Sequence, residues 1–275
     1  MSSSIYHFFK HLVENKNLLE ASDKLENFPF DTNLLSFRRK GKFPDLGIKI
    51  CKDDKLFEGG ELVEVKDSKT FTIASFNSTF PTGEKELKNI ITLESDAHKQ
   101  MLSVGEDLED LPIRQVYYLI RGKSQANCKV VLIHGSFFEV NNVDDLIAKS
   151  FVKVLEEVLE RNRFELSGEI EKLMEVFTPK QGDFSKTRQI ENYPISTRFR
   201  IMIEAAPDGN LLNSAKYEQI RNNTISFILP LKNNKDIKKI KQKMARIFGN
   251  SFNNFDTFIL KHSYNGIFGV FQQAI

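Results

Sequence analysis

The chain has 275 residues, 40% of them apolar, with 24 Phe, no Trp and two cysteines. That composition supplies a core and excludes global disorder, while Cys51 and Cys128 are too few for a disulfide scaffold or zinc ribbon and fit a reducing cytoplasm. Lys and Arg (39) nearly balance Asp and Glu (37), a net +2 that excludes a uniformly basic coat protein.

In chain order, Ile5, Phe8, Phe9, Leu12 and Val13 recur at helical spacing behind Ser4, a plausible cap. The opening Met-Ser-Ser-Ser-Ile-Tyr-His lacks a basic region followed by an apolar one, so secretion is not expected. Leu18, Leu19 and Leu25 predict a second short helix, and a basic knot follows at 38–42. Strands are predicted over Leu46–Cys51, Glu61–Lys66 and Phe71–Phe76, with turns at 52–55 with Gly59-Gly60 and at Asp67-Ser68. Val116–Arg121 and Lys129–His134 read as buried strands, with His134 a satisfied core histidine.

Residues 143–162 carry the clearest helical stripe, built on Leu146, Ile147, Phe151, Val154, Leu155, Val158 and Leu159. A further helix over Glu169–Phe177 stops before Pro179. The last hundred residues predict a strand (Thr197–Glu204), a turn at Pro207-Asp208-Gly209, a short helix, a strand (Thr224–Leu231), a helix (Lys235–Phe248) and a Phe-rich tail. No apolar run approaches the roughly 20 residues of a transmembrane helix. The whole pattern predicts one domain over 1–275 of α/β or α+β class, a mixed central sheet flanked by helices.

Chemistry concentrates between residues 43 and 66. In an extended Glu61-Leu62-Val63-Glu64-Val65-Lys66, Glu64 and Lys66 leave one face about 7 Å apart, and Val63 and Val65 take the other. Asp45 sits where the preceding extended run begins. A hairpin closed through Lys52–Gly60 brings Asp45 and Glu64 together beside Lys66. Two hard oxygen ligands and an amine suit magnesium-assisted phosphodiester hydrolysis: Asp45, Glu64 and the Val65 carbonyl as ligands, Lys66 on the attacking water. Acid-x-Lys recurs at Glu14–Lys16, Asp53–Lys55, Asp67–Lys69, Glu86–Lys88 and Asp236–Lys238, and Pro-Asp at Pro207-Asp208. Context alone separates the 45–66 copy, and an edge hairpin with a solvated Glu64–Lys66 pair is its plain alternative.

Pro44-Asp45 and Glu64-Val65-Lys66, with Gly59-Gly60 leading into the second strand, resemble the PD-(D/E)xK nucleases and, within them, the type II restriction endonucleases. The resemblance covers roughly Arg38–Pro81. The run Ile73–Pro81 is similar to a continuation found in some enzymes of that family that cut short G/C-rich palindromes. The resemblance implies a restriction-endonuclease-like core over about 1–180, a DNA-recognition subregion over about 181–275, Mg²⁺ as cofactor and double-stranded DNA as substrate. It further implies a homodimer matching a palindromic site, a cognate methyltransferase in the same prokaryotic cytoplasm, and 5′-phosphate and 3′-hydroxyl ends. A structure-specific repair or recombination nuclease and a non-catalytic DNA-binding protein are the alternatives.

Other residues suit DNA contact. Arg38, Arg39, Lys40 and Lys42 precede Asp45, where phosphate contacts would hold a duplex in register. Asn77, Ser78 and Thr79 can bond phosphates or bases, or cap their own turn. Arg188, Gln189 and Asn192 are of the types that read base edges. Between 232 and 246, Lys232, Lys235, Lys238, Lys239, Lys241, Lys243 and Arg246 stand against Asp236 alone, a net +6 on an amphipathic helix that reads as a phosphate footprint or a solvated face. Glu14 and Glu20 are candidates for a further metal-binding acid. No zinc-ligand spacing, Walker A loop, dinucleotide fingerprint or Gly-x-Ser-x-Gly elbow is present.

Overall fold

The computed structural model describes residues 4–14, 34–36, 43–50, 59–73, 76, 80–140, 143–163, 168, 172, 176, 205 and 207–275. The fold is α+β. A mixed sheet runs in the order β1 (Leu34–Ser36), β2 (Leu46–Ile48), β3 (Leu62–Ser68), β5 (Ile113–Ser124), β6 (Asn127–His134), β7 (Thr224–Leu231), β9 (Gly266–Ala274) and β8 (Asp256–His262). A short β4 (Glu84–Glu86) pairs with β5 off this path. Parallel pairing is confined to β3 with β5 and β6 with β7; the other neighbours are antiparallel.

Four α-helices occur among the described residues: α1 (Ser4–Glu14), α2 (Asp96–Ser103), α3 (Val143–Arg161) and α4 (Asp236–Phe248). The chain divides into two compact units, one made of 1–75, 81–139 and 204–275, the other of 76–80 and 140–203. The first holds the whole sheet with α1, α2 and α4; the second holds α3.

Alternation along the strands divides the core of the first unit. Val63, Tyr117, Leu119, Val130, Leu132, Ile225, Phe227 and Phe271 face one side, where Ile5, Phe9 and Leu12 of α1 and Met244 and Phe248 of α4 cover them. Phe9 stacks on Phe227 with ring centroids 4.8 Å apart. The buried Leu211, Leu212, Tyr217 and Ile220, from irregular turns after residue 209, belong to the other side. There Gly122 leaves room for Leu212 and Phe71, whose nearest atoms would lie 2.7 and 2.9 Å from an added Cβ.

Several expectations change. Ser4 begins α1 itself, and its hydroxyl donates to the buried Glu61 carboxylate at 2.7 Å. The described part of 71–76 is not a strand, because Ser68 turns the chain. Its hydroxyl donates to Thr72 O (2.8 Å) and receives the Thr70 N–H (3.2 Å), closing β3. The short helix expected after residue 209 is a series of turns, and the Phe-rich tail is the β8–β9 hairpin. Val65 is 36% exposed rather than core, since β2 pairs with β3 only through Leu46 and Gly47 and leaves its second half uncovered on that edge. The helix around 18–25 and the strand Thr197–Glu204 lie outside the described residues, and of 169–177 only 172 and 176 are described, both helical.

Candidate active site

The site is assembled by the β2–β3 hairpin. Leu46 pairs with Val63 and Gly47 with Leu62, and the ladder extends through Ile48 N–H to Glu61 O (2.8 Å) and Gly60 N–H to Ile48 O (2.9 Å). Gly59 is required here: its φ is +72°, and a Cβ would lie 2.0 Å from the Lys49 carbonyl oxygen. A buried ion pair fixes the hairpin further. Arg114 Nη2 meets Glu106 Oε2 at 3.2 Å, and Glu106 Oε1 accepts the Ile50 N–H at 2.6 Å.

Asp45, one residue before β2, is buried and accepts the Val65 N–H on Oδ2 at 2.9 Å. In an extended strand the N–H and C=O of one residue leave along the same edge. The Val65 carbonyl therefore opens toward the edge that Asp45 occupies. Val63 points to the layer of α1 and α4, so Glu64 and Lys66 project from the opposite face, and Lys66 Nζ donates to Glu64 Oε1 at 2.8 Å. Glu64 Oε2 is buried and has no hydrogen-bond partner among the described residues. Burial pushes the Glu64 carboxyl above its ordinary range. Lys66 opposes that rise, the Asp45 charge adds to it, and the Asp45 backbone N–H lowers it.

These features test whether a divalent cation fits. Mg²⁺ prefers carboxylate and carbonyl oxygens and keeps several waters. Asp45, the orphaned Glu64 Oε2 and the Val65 carbonyl offer that donor set, and Lys66 already places positive charge against it. Groups of three or more His, Cys, Asp or Glu that could hold a metal are absent among the described residues, and the donor set here is two carboxylates and a carbonyl.

The rival copies of the motif have other partners. Asp67 receives Arg121 Nε at 2.7 Å. Glu86 accepts from Asn89 at 3.0 Å, Asp208 pairs with Lys216 at 2.6 Å, and Asp236 accepts the Lys232 and Asn233 N–H groups at 3.2 Å each. Glu14 pairs with Lys10 at 3.6 Å on α1, across the sheet from Glu64, which removes it as a further ligand. Lys238, Lys239 and Lys241 are exposed on α4, in the layer across the sheet from Glu64 and Lys66. Arg38, Arg39, Lys40, Lys42, Asn77, Ser78, Thr79, Arg188, Gln189, Asn192 and Glu20 lie outside the described residues.

Comparison with protein-family models, with curated proteins and with solved structures gives no match to this chain.

Two neighbours were not singled out by sequence reasoning. Tyr118 lies beside Glu64 in the parallel β3–β5 register. Burial and the Glu64 charge push its phenol up, so it stays a protonated donor. Lys85 Nζ stands 5.4 Å from the centre of the Phe43 ring, two residues before Asp45, and burial lowers its pKa. A polar tip inside the apolar Val116–Arg121 run was the available signal for Tyr118. Lys85 left none, because β4 reads as three solvated residues.

Proposed function

We propose that the protein is a Mg²⁺-dependent nuclease of the type II restriction endonuclease kind, hydrolysing phosphodiester bonds of double-stranded DNA at a short sequence. One observation carries the reading. The hairpin holds Asp45 and Glu64 next to each other with Lys66 on one Glu64 oxygen, while the second, buried oxygen lacks a partner among the described residues. A purely structural ion pair gains nothing from burying an unsatisfied carboxylate oxygen, which costs on the order of 1–3 kcal/mol.

Asp45, Glu64 and the Val65 carbonyl would hold the metal. When bound, the metal neutralises charge on the scissile phosphate and lowers the pKa of a nearby water. The chain does the rest. The Val65 N–H fixes the Asp45 carboxylate, and the parallel pairing of β3 with β5 from Leu62 to Ser68 fixes the backbone that carries Glu64 and Lys66. The Lys66 ammonium orients the water in line with phosphorus through its N–H donors. Water oxygen bonds to phosphorus as the bond to the 3′ oxygen breaks; the attacking water releases a proton to solvent and the 3′ oxygen takes one up, leaving 5′-phosphate and 3′-hydroxyl ends.

The resemblance adds a restriction-endonuclease-like core, a two-fold dimer on a palindromic site and a cognate methyltransferase to this reading. Incubation of the purified chain with plasmid and Mg²⁺ tests it. Discrete fragments are expected, and Lys66→Ala should lose cleavage by at least about a hundredfold, the low end for a positioned acid–base group, while still binding duplex. Cutting confined to junctions or flaps would move the assignment to a repair nuclease. Cleavage by Lys66→Ala at the wild-type rate would remove Lys66 from the mechanism, and absence of any cutting would leave a DNA-binding protein.

A further inference from the structure

The cations of α4 occupy a place that the Asp45–Glu64–Lys66 site does not use. Met244 and Phe248 are buried, and Ile237, Ile240 and Ile247 pack against the core beneath α1 and α4. At 100° per residue, Lys235, Lys238, Lys239 and Arg246 fall on the opposite side of the helix, and all four are exposed. Lys241 lies on one flank; on the other, Lys243 Nζ stands 4.7 Å from the centre of the Tyr6 ring. Asp236, the one acid of the helix, is turned toward backbone N–H groups at its start. Lys235, Lys238, Lys239, Lys241 and Arg246 form no ion pair among the described residues.

This stripe and the candidate active site face away from each other. Glu64 and Lys66 leave β3 on one side of the sheet; α4 covers the other, with its cations on the far side of a helix about 10–12 Å thick. A straight duplex seated on Lys66 cannot also lie along Lys235, Lys239 and Arg246.

We infer that the outer face of α4 docks the phosphate backbone of a nucleic-acid duplex, as a surface separate from the candidate active site. Chemistry favours this partner. From Lys235 to Arg246 the helix rises about 16 Å, a length of duplex carrying roughly ten phosphate charges. The neutral exposed residues around the stripe, Asn233, Asn234, Gln242, Asn250 and Ser251, are hydrogen-bonding types that also contact phosphates. A bilayer is a poorer fit: a helix that binds in the membrane interface needs a free apolar face, and that of α4 is spent on the core. The surface selects charge and shape rather than sequence. It would hold a second segment while the other face engages its own.

The test uses the full chain in EDTA and a mixed-sequence 30-base-pair duplex, comparing wild type with a Lys235→Gln, Lys238→Gln, Lys239→Gln, Arg246→Gln variant of unchanged circular dichroism. Log affinity against log salt concentration should become shallower by about 3 to 4 in the variant, at roughly 0.9 for each phosphate that is no longer neutralised. Energy transfer between donor- and acceptor-labelled duplexes should report bridging by the wild type and by Lys66→Ala, and should vanish in the variant. An unchanged salt slope, or bridging that survives the four substitutions, overturns the inference. So does an unchanged duplex slope joined to sedimentation with phosphatidylserine vesicles by the wild type but not by the variant, which would make the face a membrane-binding one. The outcome is independent of catalysis: a chain that never cuts plasmid but loses its salt slope on substitution keeps this surface and loses the nuclease reading.

Discussion

Removing Lys66 isolates the electrostatics of the candidate site. The Lys66–Glu64 pair is neither surface nor core, with side-chain exposures of 16% and 15%. Exposed pairs contribute about 0–1 kcal/mol, and removing one partner of a fully buried pair costs about 3–5. An intermediate loss of about 2 kcal/mol is expected for Lys66→Ala at neutral pH. Its pH dependence is the sharper test. Burial already raises the Glu64 carboxyl in the folded chain, Asp45 adds to that, and Lys66 is the main charge holding it down. A carboxyl whose folded pKa exceeds its unfolded value, about 4.3, contributes stability below that value and loses it as pH rises through the folded value.

Without Lys66 the folded value rises further, so the additional loss begins above about pH 4.3 and grows toward neutrality. Urea denaturation at a series of pH values should therefore show wild type and Lys66→Ala nearly equal near pH 4 and separated by about 2 kcal/mol at pH 8, with m unchanged. On a Glu64→Gln background the pH-dependent part of the gap should disappear. A gap that is flat with pH, or that narrows as pH rises, would refute the coupling of Lys66 to a buried Glu64 beside Asp45.

Two further outcomes follow from groups around the hairpin and sheet. Burial pushes the His134 imidazole down to about 4, so its neutral form stabilises the fold above about pH 6.5. That contribution, about 3 kcal/mol, is lost as pH falls through the window from 6.5 toward 4. Comparing acid titrations of wild type and His134→Gln should show this component missing from the variant, and parallel curves would exclude it. Gly59→Ala should destabilise by at least the roughly 1–2 kcal/mol of a left-handed residue with a side chain, because its Cβ also meets the Lys49 carbonyl oxygen. An unchanged thermal midpoint would contradict the hairpin geometry that brings Asp45 to Glu64.

The parts of the fold legible in the sequence are those with a sustained apolar run or an apolar stripe at helical spacing. The run Thr224–Leu231 is β7, the 143–162 stripe is α3 (Val143–Arg161), and the Ile237–Ile247 pattern is α4. The hairpin was legible because Gly59-Gly60 marks the closure between two β-prone runs. Elements made by their partners were not. Glu84–Glu86 has no apolar residue and is a strand only because it pairs with Ile113–Gln115. Phe71 to Phe76 has strand composition, yet the edge of β3 it would occupy is taken by β5 arriving in parallel, and Ser68 has already turned the chain away.

The same distinction governs charge. Parity along β3 puts Val63 and Glu64 on opposite faces, and that much follows from a two-residue repeat. Which face α4 covers does not, because an amphipathic helix fits either side of a sheet equally well in sequence. Only packing of Met244 and Phe248 with Val63 and Phe227 decides it. Residues 232–246 carry +6 of a chain whose total is +2, leaving −4 elsewhere. The sheet separates that cationic helix from the carboxylates of Asp45 and Glu64. Within the first unit, folding therefore gives the sheet a basic back on α4 and an acidic, lysine-tempered site on the other side. A duplex drawn to the protein by net charge would meet the back first, and reaching Glu64 would require a different segment or a different copy.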